Sequence, residues 1–515
     1  MMTRNEAKQS KLLLVTMEEL IPQDHFLRKL DAAISFEFVY DIVAPLYSDR
    51  GRPSIDPVLL VKMLLLGYLY GIDSERKLAE EVRYNIAYRW YLGLDLDDPV
   101  PDHSTFSQNR RRRVKGQEIF RQIFNRIVRE CQRAGLVRGE NVVMDSTHIK
   151  ANADNHNSVW IDVLKKPEAY WDDLNLTDLP TEVVRKSKNP CDADAGYMNR
   201  TNKPKGFHYL NHQCSDADTG IILDVSVTGG DVQDCECCVD RYAYLKNEMH
   251  YPIKSAGLDS GYDTIPIHYG LTRLGIDAYI RPCKRGIRKT CDKFSVEEFK
   301  WNPSQNCYIC PNQCKLTFRG IWTRKKVPVR TYASSSSNCN VCKFRAQCYS
   351  KNSDAKKICR RIGQTEWETG RQRIGTHRYR QIQRQRQIVC EGNFGLQKRC
   401  HNLRYTRKRG IENVLEQCLL SASALNLKRL IKGISRAKNP LAEAMVSLVR
   451  KRISCFGDWS WACGGIKNVI LSTDPRCQKR FKIAGCPRNL LARLPESPVI
   501  FLQRKGRQHC HGFHC

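Results

Sequence analysis

Glu391 is the only carboxylate in residues 371–410, a stretch that holds twelve Lys and Arg. An acid so isolated is either an ion-pair partner, with Arg384 or Arg386 the nearest candidates, or a metal ligand beside a nucleic-acid track. Glu391, Phe394 and Lys398 fall at i, i+3 and i+7, which is one face if the segment is helical. Two further acids follow short apolar runs far upstream: Asp145 after Asn141-Val142-Val143-Met144, and Asp259 after Ser255-Ala256-Gly257-Leu258. Phosphodiester chemistry needs a hard cation at the attacking oxygen and another at the leaving one, roughly 3.5–4 Å apart. Mg²⁺ prefers oxygen ligands and retains waters, so two or three carboxylates suffice. Each acid also has a plainer role. Asp145 can cap the next segment, and Asp259 or Asp263 can serve a turn.

A basic partner-seeking surface fits this reading. The chain has 515 residues, room for roughly two to four domains of about 150 residues, and a net charge of +31. Such a charge most readily meets a phosphate backbone, whose condensed counterions are released on binding. No apolar run approaches the roughly 18 residues of a spanning helix, so a membrane is not expected as partner. The first twenty residues are broken by Glu18 and Glu19 and do not read as a signal peptide. The expected location is the cytoplasm.

The elements that must hold these acids divide the chain. Residues 1–136 read as an all-α, DNA-binding domain. Val58–Tyr70 is apolar on nearly every side, as in a buried helix with Pro57 in its first turn. Ser74 can cap a second helix running to Leu94. A third starts at Asp102-His103-Ser104-Thr105 and continues through Arg110–Arg113 to the stripe of Ile119, Phe120, Ile123, Phe124 and Ile127. Residues 137–282 read as the first part of a mixed α/β core, with strands at 141–145, 221–228, 255–259 and 276–280 and a polar loop at 172–206. Residues 283–370 form a Cys-rich, irregular insertion. Residues 371–435 return to helix and complete the core, and 436–515 form a tail that matches no pattern.

These residues resemble a known family. Asp145-Ser146-Thr147, Leu258-Asp259-Ser260-Gly261-Tyr262-Asp263 and Glu391-Gly392-Asn393-Phe394-Gly395-Leu396-Gln397-Lys398 are similar to the three catalytic motifs of bacterial insertion-sequence DDE transposases. Gly51-Arg52-Pro53-Ser54-Ile55-Asp56-Pro57 and Asp102-His103-Ser104-Thr105-Phe106-Ser107 resemble the N-terminal domain of that group. His401–Gly410 and Ala424–Leu430 resemble its C-terminal helices. The resemblance runs in order over about residues 10–432. It implies an RNase H-like mixed sheet flanked by helices, with Asp145, Asp259 and Glu391 catalytic and binding Mg²⁺ (or Mn²⁺). It also implies cleavage of DNA at transposon ends and strand transfer to target DNA, with a homodimer on the terminal inverted repeats. Many relatives carry Tyr and Arg seven and four residues before the Glu; Arg384 and Gln387 stand here instead. A second reading is a catalytically inactive, zinc-stabilised DNA-binding repressor derived from such an enzyme, and a third is a metal-dependent nuclease acting alone.

Cysteine numbers 24. In a basic chain without a secretory signal, reduced thiols or metal sites are expected over disulfides. Cys307-x2-Cys310 and Cys339-x2-Cys342 have the spacing of a structural Zn²⁺ ribbon, with Cys314 and Cys348 as spares. For phosphate contacts the candidates are Lys398 with Arg110, Arg111, Arg404, Arg407 and Arg409, joined by a Lys284-Arg285 and Arg288-Lys289 cluster. Phe106, Tyr379 and Tyr405 lie among these basic groups. Sequence-specific reading of the ends is expected from a helix of the N-terminal domain.

Overall fold

The structure is a computed structural model. It describes residues 14–48, 50, 54–114, 118–165, 182–200, 204–283, 294–324, 327–348, 354–437, 466–471 and 500–504. Gly51-Arg52-Pro53, the Lys284–Lys289 cluster and most of the 436–515 tail lie outside these residues. The chain divides into two units, 1–434 and 435–515. In the second, Ile466–Leu471 and Ile500–Arg504 pair as an antiparallel ribbon.

The N-terminal region is helical, as its periodicity predicts. Pro57–Leu69 forms the buried helix, and Asp56 caps it by accepting from the Val58 and Leu59 amides at 2.7 and 3.4 Å. Ser74 caps Glu75–Tyr84. The expected continuation does not occur: Asn85 leaves the helical conformation, and its side chain accepts from the Tyr88 amide at 3.1 Å to start a new helix, Ile86–Leu92. A side-chain amide that can replace a backbone acceptor favours such a break. The next stretch also divides, into His103–Asn109, a wide turn at Arg110–Val114, and Ile119–Arg133. Phe106 is 2% exposed and belongs to the hydrophobic core, so it is not available to stack on DNA.

The core of the first unit is a six-stranded mixed sheet. Gly196–Met198, Gly206–Asp216, Asn141–Lys150, Ser255–Leu258 and Asp277–Ile280 lie side by side in that order, and Ile222–Gly229 also pairs with Gly206–Asp216. The pairings on the Gly206 side are antiparallel, while Asn141–Lys150, Ser255–Leu258 and Asp277–Ile280 run parallel. This is the RNase H-like mixed sheet implied above. All eleven residues of Gly206–Asp216 are buried, although sequence patterning did not single the segment out. The polar stretch after the first strand is partly a hairpin, Val159–Lys165 against Glu182–Lys188. The long helix His377–Cys400 crosses the sheet, and Ile411–Ala437 packs into the same core. Gly257 permits the close crossing. A methyl group there would stand 2.7 Å from Ile382 Cγ2 and 2.9 Å from Val143 Cγ1.

Residues 283–370 are more regular than their composition suggests. Lys300–Asn302, Cys307–Ile309, Lys315–Arg324, Val327–Ala333 and Lys357–Arg361 form a five-stranded antiparallel sheet. Phe299, Tyr308, Leu316, Tyr332 and Ile358 give it a small core of its own.

Two buried histidines make this fold sensitive to acid. His212, in the central strand, and His401, whose Nδ1 lies 2.7 Å from the Tyr68 carbonyl, are each 1% exposed. Burial lowers both from the ordinary 6.5 to about 4. Above 6.5 both are neutral whether folded or unfolded and cost nothing. As pH falls from 6.5 to about 4 only the unfolded chain takes up their protons, so stability drops, by up to about 3 kcal/mol per histidine. Denaturant titrations at pH 7 and pH 4.5 are expected to show this loss, and His401→Gln is expected to flatten it.

Candidate active site

Asp145 lies within the Asn141–Lys150 strand and Asp259 directly follows Ser255–Leu258. Asn141, Val142 and Val143 face Ser255, Ala256 and Gly257 in parallel register, and the same offset carried on places Asp145 opposite Asp259. Each aspartate is oriented by a backbone amide: Ser146 N–H donates to Asp145 Oδ1 at 2.8 Å, and Gly261 N–H to Asp259 Oδ1 at 2.9 Å. Burial raises the Asp145 carboxyl to about 6; the neighbouring Asp259 charge adds to the rise and the Arg386 guanidinium opposes it. Arg386 Nη1 donates to Asp145 Oδ2 at 2.9 Å, with the two side chains 10% and 22% exposed. The pair of acids thus holds one buried cation supplied by the protein.

Glu391 belongs to the helix that carries Arg386. Five residues separate them, about 7.5 Å along the axis and about 140° around it. Arg386 therefore points to the sheet while Glu391 is exposed. Cys390, one residue before Glu391, is 3% exposed, so the helix is buried on the side next to the glutamate. Among the described residues, no three His, Cys, Asp or Glu side chains stand at a separation that could hold a metal ion.

Asp263, in the same motif as Asp259, has a different task. Its oxygens accept from Trp367 Nε1 at 2.9 Å, Arg371 Nη2 at 3.0 Å and the Cys283 amide at 3.0 Å. These donors and His268 hold its carboxyl well below the usual range despite burial. It ties the Gln364–Gln372 helix to the strand end beside Asp259. Two contributors escaped sequence reading. Asp234, in the loop after Ile222–Gly229, adds negative charge to Asp145 and pairs with Arg200 at 2.8 Å. Gln383 Nε2 donates to the Leu258 and Tyr279 carbonyls at 2.9 and 2.7 Å, anchoring the helix beside Asp259. Neither has a sequence signal beyond being polar.

The candidate phosphate contacts fall into two groups. Arg111, Arg112, Arg404 and Arg409 are exposed. Arg409 Nε also donates to the Asn152 carbonyl at 3.0 Å. Arg407 is half-buried against the Tyr68 ring, with its centroid 5.9 Å away, and Lys398 lies near His208. Arg110 does not present its charge to solvent. Its side chain, 14% exposed, reaches Glu75 at 2.6 Å and Glu416 at 2.8 Å, and Lys408 joins Glu416 at 2.8 Å. Two acids from distant segments claim it, which a run of arginines in the sequence does not reveal.

Comparison with known proteins finds two transposase domains in parts of the chain. A family model described as a transposase domain (DUF772) matches residues 15–112, and one described as a transposase DDE domain matches residues 309–431. Among solved structures, a piggyBac transposase synaptic complex with hairpin DNA is similar over 80% of this chain and 76% of that one, at 12% identity and a TM-score of 0.33. No helix among the described residues is long and apolar enough to cross a membrane. Two stretches of the chain, its N-terminal helices and the part that spans the Glu391 helix, thus match transposase domains, the second of them a DDE domain.

Proposed function

We propose that Asp145, Asp259 and Glu391 together bind divalent ions, Mg²⁺ or Mn²⁺, and that this site cuts transposon ends and transfers them to target DNA. The observation that supports the reading is the parallel register of Asn141–Val143 with Ser255–Gly257, which, carried two residues on, brings Asp145 beside Asp259 on the sheet that the Glu391-bearing helix packs against. The donor set fits hard cations. The two acids on neighbouring strands repel each other, and the Asp145 carboxyl is pushed up to about 6 by its burial and that repulsion, with Arg386 and the Ser146 N–H opposing. When bound, the ions would polarise the scissile phosphate and lower the pKa of the attacking water or 3′-hydroxyl. Asp145 would hold its oxygens from within a rigid strand and Asp259 from a strand end. Completing the set requires the exposed Glu391 to turn inward and Arg386 to release Asp145 Oδ2 to a metal. Arg386 would then be placed to meet the phosphate.

Arg111, Arg112, Arg404, Arg407, Arg409 and Lys398 would position the DNA backbone without reading bases. Two ends must be cut and joined in concert, so a homodimer on the terminal repeats is proposed, acting at the bacterial nucleoid. Residues 283–370 would carry a structural Zn²⁺. The test is to incubate purified protein with labelled transposon ends, a target plasmid and Mg²⁺. Nicked ends and joined products are expected. Salt-sensitive binding without nicks in any divalent metal would favour the inactive repressor, and nicks without joining the simple nuclease.

The exposed arginines give a separate expected outcome. The double variant Arg111→Ala, Arg112→Ala lowers the slope of log affinity against log salt by about 2, near one unit per lost phosphate contact. Fluorescence anisotropy with element-end DNA over a salt series measures it.

A further inference from the structure

The insertion gathers five cysteines around one small cavity, and they are not the four that the paired C-x2-C spacing picks out. Cys310, Cys314, Cys339, Cys342 and Cys348 line a space of about 20 Å³, together with Leu316, Ser334, Asn338 and Lys356. A space of that size admits about one water or one ion. Cys307 is absent from the lining; its thiol turns to Gln305 Oε1 at 3.9 Å. The reason is strand geometry. Cys307–Ile309 is extended, successive side chains alternate faces, and an offset of three puts Cys307 and Cys310 on opposite sides. Cys310 packs with Tyr308 on the inner face.

As placed, the thiols do not stand at ligand separation, and an ion would have to draw them together; the backbone turn at Cys310 already brings an amide onto one of them. The Cys314 amide donates to Cys310 Sγ at 3.2 Å, and the Cys310 amide to the Cys314 carbonyl at 2.9 Å. Gln313 takes a left-handed conformation, φ 61°, to make this turn. On the opposite wall the short helix Ser336–Asn340 brings up Cys339, and the Cys342 amide donates to the Cys339 carbonyl at 3.3 Å. Cys314 and Cys348 complete the lining of the same cavity from outside the C-x2-C pairs.

We propose that Cys310, Cys339 and Cys342 bind one Zn²⁺ as thiolates, and that Cys314 and Cys348 are interchangeable donors for the fourth position. Tetrahedral structural zinc takes four ligands and no more, so one of the five thiols is a reserve. The site amends the ligand set given under the zinc reading above by removing Cys307. It is independent of the catalytic proposal, because zinc content and end cleavage are separate readouts.

The test is elemental analysis of the full-length protein purified under reducing conditions, repeated on Co²⁺-substituted protein for its thiolate charge-transfer band. One zinc per chain is expected for wild type and for Cys307→Ser. Cys310→Ser, Cys339→Ser and Cys342→Ser are each expected to lose it. Cys314→Ser and Cys348→Ser singly retain one zinc, with the tetrahedral thiolate Co²⁺ spectrum preserved, and the double variant loses it. Variants that lose zinc are compared by circular dichroism with chelator-treated wild type, and matching spectra support the assignment. Absence of zinc from wild type, or loss of zinc in Cys307→Ser with a wild-type circular dichroism spectrum, overturns the site. Loss of zinc in either single Cys314 or Cys348 variant overturns the interchangeability.

Discussion

Asp145→Asn is expected to lower cleavage of transposon ends at least about 10³-fold while leaving DNA binding within a few-fold of wild type. The Asn side chain is isosteric, and its one oxygen keeps the Ser146 N–H bond that Asp145 Oδ1 accepts at 2.8 Å, while its amide replaces the Oδ2 that now accepts from Arg386 at 2.9 Å. The fold of the sheet is therefore retained. What is removed is the negative charge that a hard cation requires. Lewis-acid stabilisation of a phosphoryl transition state amounts to several kcal/mol, and each 1.36 kcal/mol is about a tenfold in rate. The loss should appear in the rate of the chemical step under single-turnover conditions, at saturating DNA. Asp259→Asn, opposite it across the parallel pair, is expected to behave alike.

Glu416→Ala is expected to destabilise the protein by about 3–5 kcal/mol, the range for removing one partner of a buried ion cluster. Glu416 is 5% exposed and neutralises both Arg110 and Lys408. Burial already draws the Lys408 ammonium below its usual range, and the Glu416 charge is the largest influence that offsets this. Without the glutamate, two cations stay buried with only Glu75 near Arg110. The cluster joins the turn at Arg110–Val114 to the helix Ile411–Ala437, so its loss loosens the N-terminal helices from the catalytic core. Urea denaturation of wild type and variant measures the difference. Arg111→Ala, on the exposed neighbour, should change stability by less than about 0.5 kcal/mol.

Much of this was legible in the residues. Apolar periodicity located the buried helix at Pro57 and the helices around Ile119 and Val414, and short apolar runs located the strands before Asp145 and Asp259. The strand Gly206–Asp216 was not legible, because six of its eleven residues are His, Asn, Gln, Ser or Asp. Those polar groups are buried because tertiary partners satisfy several of them: Gln213 donates to Gln397 at 2.8 Å, Ser215 Oγ accepts from Asn393 at 3.1 Å, and His212 meets Thr228 at 2.8 Å. No local pattern encodes partners such as Gln397 and Asn393, more than 150 residues away. The same limit explains Arg110, whose run of arginines looked like an exposed basic edge until Glu416 closed on it. It also explains Cys307, where spacing alone suggested a ligand and strand alternation turned the thiol away. Asp145 and Asp259 could be named from sequence because each follows a short apolar run; the strand that ends before Asp259 was read correctly, whereas the one that carries Asp145 runs on to Lys150. Glu391 was visible as the lone acid of a basic helix, but its direction around that helix was not.

The most direct measurement replaces Mg²⁺ with Fe²⁺ in the protein bound to its DNA ends and maps the backbone breaks made by locally generated hydroxyl radicals. Breaks at three places, close to Asp145, Asp259 and Glu391, are the expected result, and an excess of Mg²⁺ should suppress all three together. Breaks near the two aspartates with none near Glu391, or none at any of the three, would contradict a shared metal site.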